Sequence, residues 1–230
     1  MKDFARLFTR IDQSTKTSVK VAALAEYFAT APDADRLWTI ALFSGRRPRR
    51  AVTTTRLREW AAEAAGHPLW LFEEAYPVVG DLAETIALFL PPCRAESDHG
   101  LTNWINILRG ISDVDEAARK DAVLSAWNEL DTTSRFLFNK LITSGFRIGI
   151  SQTLMTRALA QATGREEAEL AHRLMGAWSP DDTTFHALIE ADDPTTDASR
   201  PYPFCLAHGL DTAPGDLGAP EDWMAGWAGL

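Results

Sequence analysis

Six arginines fall between positions 46 and 58: Arg46, Arg47, Arg49 and Arg50 in the run Gly45-Arg46-Arg47-Pro48-Arg49-Arg50, then Arg56 and Arg58 beyond Thr53-Thr54-Thr55. A guanidinium presents a planar fork of donors that matches phosphate oxygens. Pro48 and Gly45 place the first four on a loop, from which they can fan toward a phosphate backbone. The threonines open the following helix, whose free amides and positive dipole end also favour an anion. The same residues fit a second reading, a solvated basic loop that balances Glu59, Glu63, Glu73 and Glu74.

A second feature is Lys140-Leu141-Ile142-Thr143-Ser144-Gly145-Phe146-Arg147-Ile148-Gly149-Ile150-Ser151. Gly145 and Gly149 bracket an aromatic and an arginine, which predicts a tight turn between a helix that ends and one that begins at Ser151. Backbone could approach a ligand there, with Arg147, the Ser151 hydroxyl and amide N–H groups presented together. The alternative is an ordinary corner between two helices in which Phe146 and Ile148 plug the core. A third feature pairs Asp81 with Glu84 at a helix start, where acids at that spacing could hold a metal or move protons but also complement the dipole. The helix-start explanation is the one adopted. The five histidines, at 67, 99, 172, 186 and 208, are scattered, and no nucleophile–base pattern, P-loop or dinucleotide fingerprint occurs.

These features need elements that stop and restart in the right places. Helical periodicity predicts helices over 18–30 (capped by Ser18), 34–44 (behind Asp33, stopped by Gly45), 55–65 (stopped by Gly66), 68–76 and 81–90. It continues with 102–109, 114–129, 132–143, 152–163, 166–177 and 181–191. Asp131, Ser151 and Ser179 mark starts; Gly110, Gly145 and Gly164 mark ends. Alternating strand patterns are almost absent before residue 200, so the fold class expected is all-α, a multi-helix body over 1–191. From 192 to 230 five prolines and three glycines between Pro194 and Pro220 predict a connector, with one short strand candidate at Phe204–Ala207. Trp38, Trp60, Trp70, Trp104, Trp127 and Trp178 mostly lie at apolar helical positions, which assigns them to packing.

Composition bounds the rest. The 230 residues carry a net charge of −9, which argues against an indiscriminate polyanion binder. The charge is unevenly spread: residues 1–165 hold 21 basic and 19 acidic residues, residues 166–230 only 2 against 13. A basic face on the first part is compatible with that split. No apolar run reaches membrane-spanning length and no signal-peptide pattern opens the chain, so a soluble cytoplasmic protein is expected. Cys93 and Cys205 lie far apart, without a Cys-x-x-Cys pair, so neither a disulfide framework nor structural zinc is expected.

Taken together the segments resemble the N-terminal region of bacterial ATP-dependent DNA ligases. The likeness runs through Phe4 to Ile11, TSVKVAALAEYFA (Thr17 to Ala29), LFSGRRPRR (Leu42 to Arg50), LREWAAEAA (Leu57 to Ala65), VGDLAET (Val79 to Thr85), LITSGFRIGIS (Leu141 to Ser151) and YPFCLAH (Tyr202 to His208). The last two are the most specific. The resemblance implies a DNA-binding domain that grips nicked duplex over the minor groove, with loop arginines and helix N-termini on phosphates and no reading of bases. It assigns DNA contacts to Arg46, Arg47, Arg49, Arg50, Gly145, Arg147, Gly149 and Ser151, with Thr53 and Lys140 completing the set. It also implies nicked duplex as partner, a monomer, roles in repair, replication and recombination, and ATP with magnesium as cofactors of the whole enzyme rather than of this chain.

In that family a connector leads into Trp-x-x-Glu-x-Lys-x-Asp-Gly, whose lysine becomes adenylated. Aligned at Trp223, this sequence has Gly226 in the glutamate slot and Ala228 in the lysine slot. Alanine has no amine to attack an α-phosphate; the altered tail points to a truncated gene or an altered reading, with a stand-alone binding protein as the alternative and a catalytic domain supplied elsewhere as a candidate partner. A helical protein-interaction module, using the acidic C-terminal third or exposed aromatics, is the competing function. A complete small ligase with an unusual nucleophile is the third. Incubation with labelled ATP and denaturing electrophoresis is expected to leave no covalent adduct; a labelled band at the mass of the chain would overturn this assignment.

Overall fold

Helix caps set many of the element boundaries in the computed structural model, which describes residues 1–46, 48–143, 146, 149–176 and 178–190. In chain order the helices are α1 (Lys2–Asp12), α2 (Thr17–Thr30), α3 (Asp33–Phe43), α4 (Thr54–Ala65), α5 (Leu69–Val79) and α6 (Leu82–Phe89). They continue as α7 (Leu101–Gly110), α8 (Glu116–Glu129), α9 (Thr132–Thr143), α10 (Gln152–Thr163) and α11 (Glu167–Met175), followed by a π-helical turn at His186–Glu190. No strand occurs among the described residues, and the all-α expectation holds. No helix among them is long and apolar enough to cross a membrane. The predicted connector and strand candidate fall in 192–230, outside the described residues.

Several predicted stops are realised by left-handed glycines, Gly45 (φ 83°), Gly66 (φ 69°) and Gly164 (φ 73°). Asp131 and Ser151 cap α9 and α10, accepting the Ser134 and Leu154 amides at 2.9 and 3.2 Å. Elsewhere the structure differs from expectation. Helix α1 was not predicted, although Phe4, Leu7, Phe8 and Ile11 form its buried stripe. Ser18 lies inside the first turn of α2 instead of capping it. Asp33 begins α3, and its carboxylate accepts the distant Phe185 amide at 3.0 Å. Where a helix over 181–191 was expected, a turn precedes the short π-helical segment.

The core is continuous through the helices. α2 packs along α10, and α6 along α9. Buried alanines on both members of the first pair, Ala23 and Ala158, leave room for close backbone approach. Trp60, Trp104 and Trp127 are buried, as expected, whereas Trp70 is 65% exposed.

One buried carboxylate ties α3 to α7. Helix α7 has only Gly100 at its N-cap, which offers no side chain to its first amides. Asp35 of α3 supplies the missing acceptor, taking the Leu101 and Thr102 amides at 3.0 and 2.8 Å. The approach demands glycine at position 100, because a Cβ there would stand 2.6 Å from the Asp35 carboxylate. Asp35→Ala strands these amides at a site that is 8% exposed and is expected to cost about 3 kcal/mol. Chemical denaturation checks this; a loss below about 1 kcal/mol would mean that the amides find other acceptors.

Candidate nucleic-acid interface

The arginine loop is launched by a complete Schellman motif. Helix α3 ends at Phe43; the Gly45 amide returns to the Leu42 carbonyl at 3.1 Å and the Arg46 amide to the Ala41 carbonyl at 2.9 Å. Buried Pro48 and Val52 hold the loop down from beneath, and Thr53 then caps α4, its hydroxyl accepting the Arg56 amide at 3.4 Å. Thr53 is therefore spent on helix initiation, with its side chain at the exposed α4 N-terminus.

The loop arginines divide into two kinds. Arg49 and Arg50 are exposed, and neither has a carboxylate within ion-pair distance among the described residues. Arg46 instead turns inward and lays its guanidinium over the Trp178 ring, 4.0 Å from the centroid. It also donates to the Trp178 carbonyl and, at 3.4 Å, to the Gly176 carbonyl. Arg56 is paired with Glu59 and Glu116, and Arg58 with Glu73. The solvated, charge-balanced reading thus describes Arg56 and Arg58, while Arg49 and Arg50 stand apart from it. Arg47 lies outside the described residues.

The second corner sits directly beside this loop. Arg50 donates to the Thr143 carbonyl at the end of α9, at 2.9 Å. Phe146 packs its ring against Phe4, Phe8 and Phe43, at centroid distances of 5.4, 5.9 and 6.2 Å. Phe43 is the last residue of α3, so Phe146 links the two corners from below while plugging the core as the structural alternative required. Gly149 is left-handed (φ 61°), and Ser151 caps α10 with its free amides facing outward from an exposed start. Gly145, Arg147 and Ile148 lie outside the described residues.

Between the corners opens a groove of about 490 Å³. Ser44 and Arg46 line one wall, Ile150, Ser151 and Gln152 the other, and Phe43 and Met155 contribute apolar surface. The sequence reasoning missed Lys20: its ammonium lies 3.7 Å from where a Cβ on Gly149 would be. Lys16 and Lys20, one turn apart at the start of α2, were the only hint available in one dimension. Lys140 is placed differently from Arg49 and Arg50. It forms an ion pair with Asp81 and lies 5.4 Å from the Phe136 ring centroid, with its side chain 16% exposed.

Asp81 caps α6, accepting the Glu84 amide at 3.0 Å, so the helix-start explanation accounts for that carboxylate. No three His, Cys, Asp or Glu side chains among the described residues converge as metal ligands. A family model described as the DNA ligase N terminus matches residues 1–160. No curated protein matches the chain.

Removing the Phe146 ring takes away three aromatic contacts and part of the core. Phe146→Ala is expected to lower stability by about 2 kcal/mol, less than a fully buried phenylalanine because the ring is half-buried. The measurement is the shift of the urea unfolding midpoint at unchanged slope; an unmoved midpoint would show that the ring does not tie the corners.

Proposed function

Because the chain belongs to the DNA ligase N-terminus family, we propose that its helical body holds nicked duplex DNA by the phosphate backbone for an ATP-dependent ligase. The observation that carries this reading is the meeting of the two corners across one groove, lined by Ser44 and Arg46 of the arginine loop and by Ser151 and Gln152 at the α10 N-terminus, while Arg49 and Arg50 are exposed three and four residues farther along the same loop.

Such a surface suits a nick. A nick can occur at any sequence, so its holder needs affinity that is independent of base identity, and phosphate contacts supply that. Arg49 and Arg50 reach phosphates as bidentate forks. Ser151 and the first amides of α10 take another phosphate at a helix start. Gly149 lets backbone and duplex come close, and Lys20 adds a positive charge behind it. Arg47, Gly145 and Arg147 complete the two loops on this reading, and residues 192–230 connect the body to a nucleotidyltransferase domain. Lys140 serves indirectly, holding Asp81 and the start of α6 in place.

The full reaction adenylates a lysine, passes AMP to the 5′-phosphate of the nick, and ends with attack by the 3′-hydroxyl. In this division of labour the body described here binds and orients, while ATP and magnesium belong to the catalytic domain.

One observation favours the competing role of a protein-interaction module: Trp70, Val78 and Leu88 on α5 and α6 are 65%, 86% and 61% exposed. The two readings separate in a titration of nicked and intact duplex at increasing salt. Phosphate binding predicts a linear fall of log affinity with log salt, at roughly 0.9 per contact. The double change Arg49→Ala with Arg50→Ala is expected to flatten the slope by roughly 1.8 while leaving the fold intact. Absence of binding at low salt would sink the proposal and favour the protein-interaction role.

A further inference from the structure

The strongest unexplained arrangement lies where Arg46 meets the segment after α11. Its residues 176 and 178 fall beyond the matched family region, which ends at residue 160. We propose that Arg46 and Trp178 form a brace that sets the direction of the arginine loop, so that Trp178 is a positioning residue for DNA binding although it bears no charge. This rests on the reading of the groove as a duplex-binding surface.

The geometry of the brace is specific. α11 packs against α10, the same helix whose N-terminus forms one wall of the groove. At its end the Trp178 indole N–H donates back to the Leu174 carbonyl at 3.1 Å, which fixes the ring plane. The ring face then receives the Arg46 guanidinium at 4.0 Å from its centroid. The Gly176 and Trp178 carbonyls take guanidinium N–H groups, so the cation is held by a π face and two acceptors at once. A guanidinium occupied in this way has given up much of the donor fork that a phosphate would use.

What the brace controls is the chain that follows. The Arg46 backbone is already fixed by its amide bond to Ala41, and Arg49 and Arg50 come only three and four residues later. With the Arg46 side chain clamped as well, the loop leaves α3 in one direction and Arg50 reaches the Thr143 carbonyl. Without the clamp the loop keeps its Schellman turn but loses its anchor to Gly176 and Trp178. Arg49 and Arg50 then sample more orientations and hold phosphates less often. Lysine cannot replace arginine here, since a single ammonium cannot lie flat on an indole and reach two separate carbonyls.

The experiment measures affinity for nicked duplex against salt with the full chain, for wild type, Trp178→Leu, Trp178→Phe and Arg46→Lys, alongside thermal unfolding of each. Trp178→Leu and Arg46→Lys remove no charge. Even so, each is expected to lower the salt slope by roughly 0.9 to 1.8, the equivalent of one or two phosphate contacts. Trp178→Phe keeps a ring face and is expected to recover most of that loss. A simple loss of stability would lower the melting temperature without changing the slope of the folded protein.

If Arg46 were itself a phosphate ligand, Arg46→Lys would keep the slope and Trp178→Leu would leave it unchanged or steepen it; either result overturns the brace. Should Trp178→Leu fail to fold, Arg46→Lys decides alone. A wild-type chain that does not bind duplex at low salt overturns the duplex-binding reading and the brace with it. A wild type that binds with a steep slope, beside variants that match it, overturns the brace only.

Discussion

The two polar corners are held in place chiefly by an aromatic cluster beneath them. Phe146 from the second corner meets Phe43 from the first, and both pack on Phe4. On the surface above, Arg50 of the first corner donates to the Thr143 carbonyl of the second at 2.9 Å, an exposed hydrogen bond that contributes about 1 kcal/mol at most. Edge-to-face ring pairs give roughly 0.5–1.5 kcal/mol each beyond their burial. Several such pairs converging on one residue, with the burial that accompanies them, outweigh that single polar link. The consequence is an apolar floor that fixes where a charged surface can form. Helix α1, which supplies Phe4 and Phe8, is thereby as much a part of the candidate site as the loops.

Above that floor the surface is organised by which cations are already neutralised. Arg10 pairs with Glu26, Arg56 with Glu59, Arg58 with Glu73, Lys120 with Glu63 and Lys140 with Asp81. These pairs contribute little stability each, yet they take five basic residues out of competition for an anion. Arg49 and Arg50 lack such a partner among the described residues, and they occur beside a capped helix start. A count of arginines in the sequence therefore overstates the binding surface: of the six between 46 and 58, Arg56 and Arg58 are paired with carboxylates, Arg46 is held by Trp178 and Gly176, Arg50 gives one donor to the Thr143 carbonyl, and Arg47 lies outside the described residues.

Local chemistry was legible in the sequence and long-range meeting was not. Left-handed glycines at 45, 66 and 164 and the caps Asp131 and Ser151 act within a few residues of themselves, so spacing alone revealed them. The all-α architecture followed from the same local rules. Asp33 and Ser18 looked like caps because their types are right. Asp33 was instead recruited by the Phe185 amide, 152 residues away, and no periodicity can show that. Arg46 belongs to the same class of miss: in sequence it is indistinguishable from Arg49 and Arg50, and its fate is decided by carbonyls at 176 and 178. Lys20 was missed because its tie to Gly149 exists only once α2 lies on α10.

The net charge of −9 is the remaining tension with a DNA-binding role, and for the acids beside the groove the ion pairs of α11 bear on it directly. Helix α11 packs on α10, near the groove, and carries Glu167 and Glu169 in its first turn. Glu169 is engaged by Arg165 at 2.9 Å and by Arg173 at 2.7 Å, and Glu167 lies 3.7 Å from Arg157. The acids of α11 thus meet cations before they can oppose a phosphate. Exposed charges farther away are screened over about 8 Å at physiological salt, so a duplex in the groove responds to the local arrangement rather than to the sum over the chain. A net acidic protein can in this way present a locally cationic surface, carried by Arg49 and Arg50 on the loop that borders the groove.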